Sequence, residues 1–298
     1  MKFALKSLVV ASAFVAMGAA QAATTTQTLN VNSSVTDQGW TLDSLSGNGT
    51  LTFSDSLISA LNTAKVSIAP VSPATVSGVA GVAPGSYPKG GAVSAAAPIT
   101  SVTGNFDGTT LSVTTVRTAG GAAQTTIKNG ATNGAGFLEI KNLEVDIVNK
   151  IVYADLSGGN GFVSVNRYAL WTFEALGGPT SFSVPNPAVK TDYVVSNDIH
   201  GLFFVNQADG LAKFTQALNL NAIGSSALKS VDNKASTSNI DNTTFGGTNA
   251  PYGKAAGFGW INSTIKVTAT PAIPEPSTYA LMGLGLVGLS LVARRKAK

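Results

Sequence analysis

The chain has 298 residues, no cysteine and only 11% charged side chains. Without cysteine there are no disulfides, thiolate metal sites, iron–sulfur clusters or cysteine nucleophiles. The formal charge of +4 comes from the ends, because residues 23–270 carry eleven Lys and two Arg against eleven Asp and three Glu. Nucleic acid needs a cationic footprint, and this near-neutral body without a basic run excludes it as a partner.

The N-terminus reads as an export signal. Lys2 and Lys6 precede an apolar stretch from Leu8 to Val15, and Ala20-Gln21-Ala22 supplies a small-residue cleavage site. The pattern predicts a signal peptide over 1–22, cut by signal peptidase before Ala23. It leaves an exported domain at 23–270, about 248 residues, that must be held by its core and sheet pairing alone.

Short alternating runs punctuated by Gly and Asn predict an all-β body, mainly an antiparallel β-sandwich or curled sheet with two or three short helices. Leu29 to Trp40 opens it, and Thr50-Leu51-Thr52-Phe53 puts Leu51 and Phe53 on one face. Ser54-Asp55-Ser56 predicts a cap for a helix bearing Leu57, Ile58 and Leu61 on one stripe. Residues 70–98 mix five Pro with five Gly, which predicts an exposed, mobile loop or insertion. Asn105-Phe106-Asp107-Gly108 offers a D-G turn between strands at 99–103 and 109–116. Further on, Leu143, Val145 and Ile147 alternate with Glu144 and Asp146, Asn149-Lys150 turns the chain, and 151–156 runs back. The aromatic-rich segment 162–176 and the runs 193–195 and 199–205 read as further strands. Asp209 is the expected N-cap of a helix over 210–218, 222–231 a second helical element, and 259–269 the closing strand. A β-solenoid would need a fixed-period repeat, and there is none.

Candidate chemistry is sparse. Ser196, Asp198 and His200, the only histidine, would share a strand face. Ser196 and His200 would then stand about 13 Å apart, whereas a nucleophile and its base need about 3 Å. No G-x-S-x-G elbow is present, so the expectation is a strand-edge histidine beside an aspartate. Glu139, Glu144, Glu174, Asp146 and Asp155 are the carboxylates from which a glycosidase pair would be drawn; Glu144 and Asp146 read instead as the solvated side of a sheet. The Asp/Asn–Gly clusters at 105–108, 160–161 and 241–247 have no calcium-loop spacing and read as turns. Trp40, Trp171 and Trp260 read as core rather than sugar platforms. No cofactor site is expected: Gly283-Leu284-Gly285-Leu286-Val287-Gly288 fits the dinucleotide fingerprint but lacks the strand before it and the acid after it.

The last segment, 271–298, is the most specific. Pro274, Glu275 and Pro276 are followed by Ser277, an uncharged run predicted as a transmembrane helix over 278–293, and the basic residues Arg294, Arg295 and Lys296. Sixteen residues span roughly 24 Å as a helix, short of about 30 Å of hydrocarbon, but Tyr279 suits an interface and the basic residues can snorkel. The positive-inside bias keeps those cations cytoplasmic and the body across the membrane. This order of features resembles the PEP-CTERM sorting tail of Gram-negative bacteria. The resemblance covers the tail only. It implies recognition by a membrane-embedded exosortase, a precursor held in the inner membrane, and delivery to the cell surface or beyond, in an exopolysaccharide or biofilm setting. Together these features predict a non-enzymatic surface or matrix protein. The alternative is an extracellular carbohydrate- or calcium-dependent binding module.

Overall fold

The computed structural model describes residues 23–185, 188–233 and 257–271, the backbone at 244–245 and 248–249, and Leu284. The expected signal peptide and sorting motif, and the span 278–293 apart from Leu284, lie outside the described residues. Among those residues no helix is long and apolar enough to cross a membrane.

Strands β1 (Thr25–Asn30), β2 (Val35–Asp37) and the long β3 (Trp40–Phe53) open the body. Helix α1 (Asp55–Thr63) follows where the spacing predicts it. The Ser54 hydroxyl accepts from the Leu57 N–H at 3.0 Å, and Leu57, Ile58 and Leu61 are buried. Next come β4 (Ser67–Val71), β5 (Thr75–Ser77), β6 (Ser94–Phe106), β7 (Thr110–Thr118) and β8 (Gly121–Thr126). The D-G turn joins β6 to β7, with Asp107 accepting from the N–H groups of Thr109 and Thr110 at 2.8 and 2.7 Å. β9 (Gly136–Asp146) and β10 (Ile151–Gly158) form the predicted hairpin. β11 (Val165–Gly177), β12 (Ser181–Ser183) and β13 (Thr191–Phe204) lead to helices α2 (Gln207–Ala217) and α3 (Ala222–Val231). Among the described residues β14 (Thr244–Phe245) and β15 (Thr248–Asn249) pair with each other, and β16 (Gly259–Pro271) returns to the main sheet.

Hydrogen-bonded neighbours run β7–β6–β3–β16–β13–β11–β10–β9, all antiparallel, and a three-residue ladder between β9 and β7 closes the ring. In that closing ladder Thr115, Val116 and Arg117 face Asp146, Val145 and Glu144. β8 and β4 extend from β9, β1 and β5 pair with β6, β2 with β3, and β12 with β7.

Two cores result. One lies within the ring and under the helices, around Phe53, Leu138, Val152, Trp171, Leu202 and Phe258. In the other, β1–β6–β7–β12 and β2–β3–β16–β13 pack across Leu29, Leu42, Phe106, Leu111 and Val267. β3, β6 and β16 are long enough to line both. Gly47 sits where β3 passes from one to the other; its φ is +143°, and a Cβ there would lie 2.0 Å from the Thr264 carbonyl oxygen. Glycine is required at that crossing.

The structure is thus mostly antiparallel β-sheet with three short helices, as predicted; the ring closure and second layer are its finer form. Three local expectations need correction. The N-cap of α2 is Asn206, whose side chain accepts from the Asp209 N–H at 3.2 Å, and Asp209 lies in the first turn. Segment 70–98 contains β5 and the start of β6, and buries Ala74, Tyr87 and Val93. Asn62 of α1 anchors it, bonding the Tyr87 N–H and C=O at 2.9 and 3.0 Å. The runs 193–195 and 199–205 are parts of one strand, β13, which ends at Phe204.

Candidate functional site

His200 is on β13 as expected, but it is not at an edge. It is 2% exposed, opposite Ala175 of β11, and burial pushes its pKa below the ordinary histidine value against the opposing pull of Asp198. Asp198 accepts from the Asn262 side-chain amide, and the Ser196 hydroxyl lies 3.4 Å from that of Thr264. The structure therefore turns Ser196 and Asp198 toward β16 partners. The strand spacing from Ser196 to His200 keeps them too far apart for proton transfer.

The carboxylates divide among structural tasks. Glu139 pairs with Lys141 at 3.0 Å and accepts from the Ser157 hydroxyl at 2.7 Å; that bond, opposed by partial burial and helped by Lys141, holds its pKa below the usual range. Asp146 accepts from the backbone and side-chain amides of Asn149 and shapes the β9–β10 turn. Glu174 lies half-buried on β11, with β10 between it and β9. The Phe162 N–H bonds the Gly159 carbonyl at 3.0 Å across the turn at 160–161, and the Asn160 amide ties it to the carbonyls of Ala135 and Ala217; the cluster at 241–247 lies outside the described residues apart from the backbone at 244–245. Trp40, Trp171 and Trp260 are all buried.

Glu144 departs from expectation. It is 8% exposed rather than solvated. Its carboxylate takes Arg117 Nη2 at 3.0 Å and Arg167 Nη2 at 2.8 Å, so the only two arginines of 23–270 converge on one acid. Asn142, with φ +54°, interrupts the alternation of β9 and aims Glu144 at both. The Arg167 guanidinium also lies 3.9 Å over the Tyr153 ring, and the Arg167 backbone N–H donates to Asp155 at 2.8 Å. Asp155 accepts from Asn142 at 2.9 Å in turn. These groups, with Thr100 and Thr118, line a polar cleft of about 240 Å³ on the outside of the ring. Glu144 and Asp155 thus share a cleft, but both oxygens of Glu144 are held by guanidinium groups. Neither is free to hand a proton to a glycosidic oxygen. Nothing in the alternating pattern showed this clamp; the scarcity of arginine was the one available signal.

Pro274, Glu275, Pro276, Arg294, Arg295 and Lys296 lie outside the described residues, so they are placed by sequence comparison. The family model of the PEP-CTERM protein-sorting motif matches residues 272–296. The tail is a PEP-CTERM sorting motif. Such a tail implies exosortase processing of a membrane-anchored precursor and an extracellular destination. No curated protein and no solved structure matches the chain.

Proposed function

We propose that this chain is an exported, non-enzymatic protein of the cell surface or extracellular matrix. Signal peptidase removes 1–22, and the exosortase acts on the tail. The observation that carries the reading is the sorting motif at 272–296. The body agrees with it: its one histidine is buried in a sheet, and Glu139, Glu144 and Asp146 are committed to an ion pair, the arginine clamp and a turn. Replacing Pro274-Glu275-Pro276 by alanines is expected to leave an unprocessed precursor in the inner membrane; unchanged delivery outside the cell would refute the sorting step. A deletion strain is expected to lose aggregation or matrix cohesion without loss of an extracellular enzymatic activity. Unchanged aggregation and surface properties would sink the matrix role.

The polar cleft favours a second reading, carbohydrate binding, because Arg117, Arg167, Asn142 and Asp155 supply donors and acceptors around a concave surface. A glycan array run with and without calcium separates the two, since an inert scaffold binds in neither condition.

A further inference from the structure

The polar cleft lies across the seam that closes the ring. Thr100 of β6, Arg117 of β7, Glu144 of β9, Asp155 of β10 and Arg167 of β11 line it, on strands that neighbour one another in that order. Its volume of about 240 Å³ exceeds the roughly 150 Å³ known to admit benzene, so one six-membered ring with its substituents fits.

The hydrogen-bonding capacity that the protein does not use alternates along this row. Each guanidinium meets Glu144 through its Nε and Nη2 atoms, at 3.1 and 3.0 Å for Arg117 and at 3.1 and 2.8 Å for Arg167. This side-on use leaves the Nη1 end of each guanidinium for the cleft, and both side chains are more than half exposed. The Thr100 and Thr118 hydroxyls donate to the carbonyls of Arg117 and Leu143, both at 3.3 Å, which leaves their oxygens to accept. Asp155 accepts one N–H on each oxygen, from Arg167 and from Asn142, and each oxygen keeps a lone pair. Donors therefore stand beside acceptors. Glu144 and the Tyr153 ring already hold the two arginines, so little ordering is left for a ligand to impose.

Charge narrows the ligand further. The formal charges that line the cleft cancel, Arg117 and Arg167 against Glu144 and Asp155. A carboxylate brings acceptors only and would meet Asp155 beside the guanidinium groups; an ammonium brings donors only and would meet the two arginines. A hydroxyl both donates and accepts, so neighbouring hydroxyls on one ring match the alternation. We propose that the cleft binds an uncharged, hydroxyl-rich pyranose unit of a polysaccharide. Its hydroxyls accept from Nη1 of Arg117 and Arg167 and donate to Asp155 and the threonine oxygens. This narrows the carbohydrate reading of the cleft to neutral sugars and rests on that reading.

The test titrates the full chain calorimetrically with dextran, mannan and galactan, and with the carboxymethyl and diethylaminoethyl derivatives of each. At least one neutral polysaccharide is expected to bind saturably, and its two charged derivatives at least about tenfold more weakly. Thr100→Val removes an acceptor at constant shape, and Arg117→Lys removes the planar fork at constant charge. Each should weaken binding about two- to tenfold, the worth of one hydrogen bond. Thr100→Val leaves the clamp intact and carries the test should Arg117→Lys fail to fold. A charged derivative that binds more tightly than its neutral parent overturns the proposal and leaves the carbohydrate reading standing. Binding that neither variant weakens does the same, since it places the sugar elsewhere on the chain. Binding of no polysaccharide, neutral or charged, overturns the reading and the proposal together.

Discussion

Removing the charge of Glu144 tests whether the arginine clamp helps to close the ring. Arg117 and Glu144 are direct cross-strand partners in the ladder between β7 and β9, so Glu144→Gln acts on the seam itself. The Glu144 side chain is 10% exposed, whereas those of Arg117 and Arg167 are 57% and 55% exposed. Hydrogen bonds to charged groups contribute about 1.5–3 kcal/mol, but cations this exposed are screened, and solvent-facing pairs give about 0.2–1 kcal/mol each. Two pairs on one largely buried acid therefore contribute about 1–2 kcal/mol. For a body of this size each kcal/mol moves Tm by about 2–4 °C, so Glu144→Gln should melt about 2–8 °C lower in 10 mM salt. The Debye length falls from about 30 Å there to about 3 Å at 1 M, and the loss should shrink accordingly without vanishing. Arg167→Ala should cost more than Arg117→Ala, because it also removes the contact over Tyr153. Urea and thermal unfolding of the parent, the three single variants and the two double variants that combine Glu144→Gln with each arginine change, at both salt concentrations, give the coupling energies. A Glu144→Gln variant within about 0.5 kcal/mol of the parent at low salt would show that the seam does not depend on the clamp, since surface substitutions vary by about that much.

Three further outcomes follow from particular residues. His200 has a folded pKa below its unfolded value, so the unfolded chain binds the extra proton: its contribution is intact above about pH 6.5 and is lost as pH falls, at no more than about 1.4 kcal/mol per pH unit. Urea midpoints between pH 8 and 5 should fall less steeply for His200→Gln, and an identical slope would refute the assignment. Gly47→Ala places a methyl 2.0 Å from the Thr264 carbonyl in a backbone conformation that alanine avoids, so it should cost at least about 2 kcal/mol; a neutral result in chemical denaturation would contradict the close approach. Ser54→Ala removes both the cap of α1 and the hydroxyl bond to the Gly257 carbonyl. It should lower stability by about 1–3 kcal/mol, and Ser54→Asp should not rescue it, because a carboxylate there would face the Gly257 carbonyl oxygen in a fully buried site; unchanged stability of Ser54→Ala would refute the double role.

What was legible in the sequence was local. The Asp107-Gly108 and Asn149-Lys150 turns announced their hairpins, because a tight turn fixes register within a few residues. Ser54 and the Leu57–Ile58–Leu61 spacing announced α1 for the same reason. The ring was not legible, since its closure rests on three residue pairs about 30 positions apart with no composition of their own. The alternation at 143–147 held, with Leu143, Val145 and Ile147 on the inside of the ring and Glu144 on the outer cleft. What it could not show is that Arg117 and Arg167, from two other strands, would cover Glu144 there, which is why Glu144 is buried rather than solvated. The proline and glycine of 70–98 obscured β5 and the start of β6 because breakers at strand edges and turns look alike until the partner strand is known.

The clamp also bears on how the body would meet a matrix. Among the described residues the ion pairs are internal, as in Arg117 and Arg167 to Glu144, Lys141 to Glu139 and Lys213 to Asp209. With residues 23–270 near neutrality, little long-range field is left to draw a charged polysaccharide. The exposed ladder between β1 and β6 instead offers hydroxyl and amide rows, where Thr26 bonds Asn105 at 2.8 Å and Thr28 meets Thr103 at 2.9 Å. Contacts built on such groups depend on hydrogen bonding and shape rather than on counter-ion release. Association of this body with a matrix should therefore persist in salt that strips proteins bound by charge.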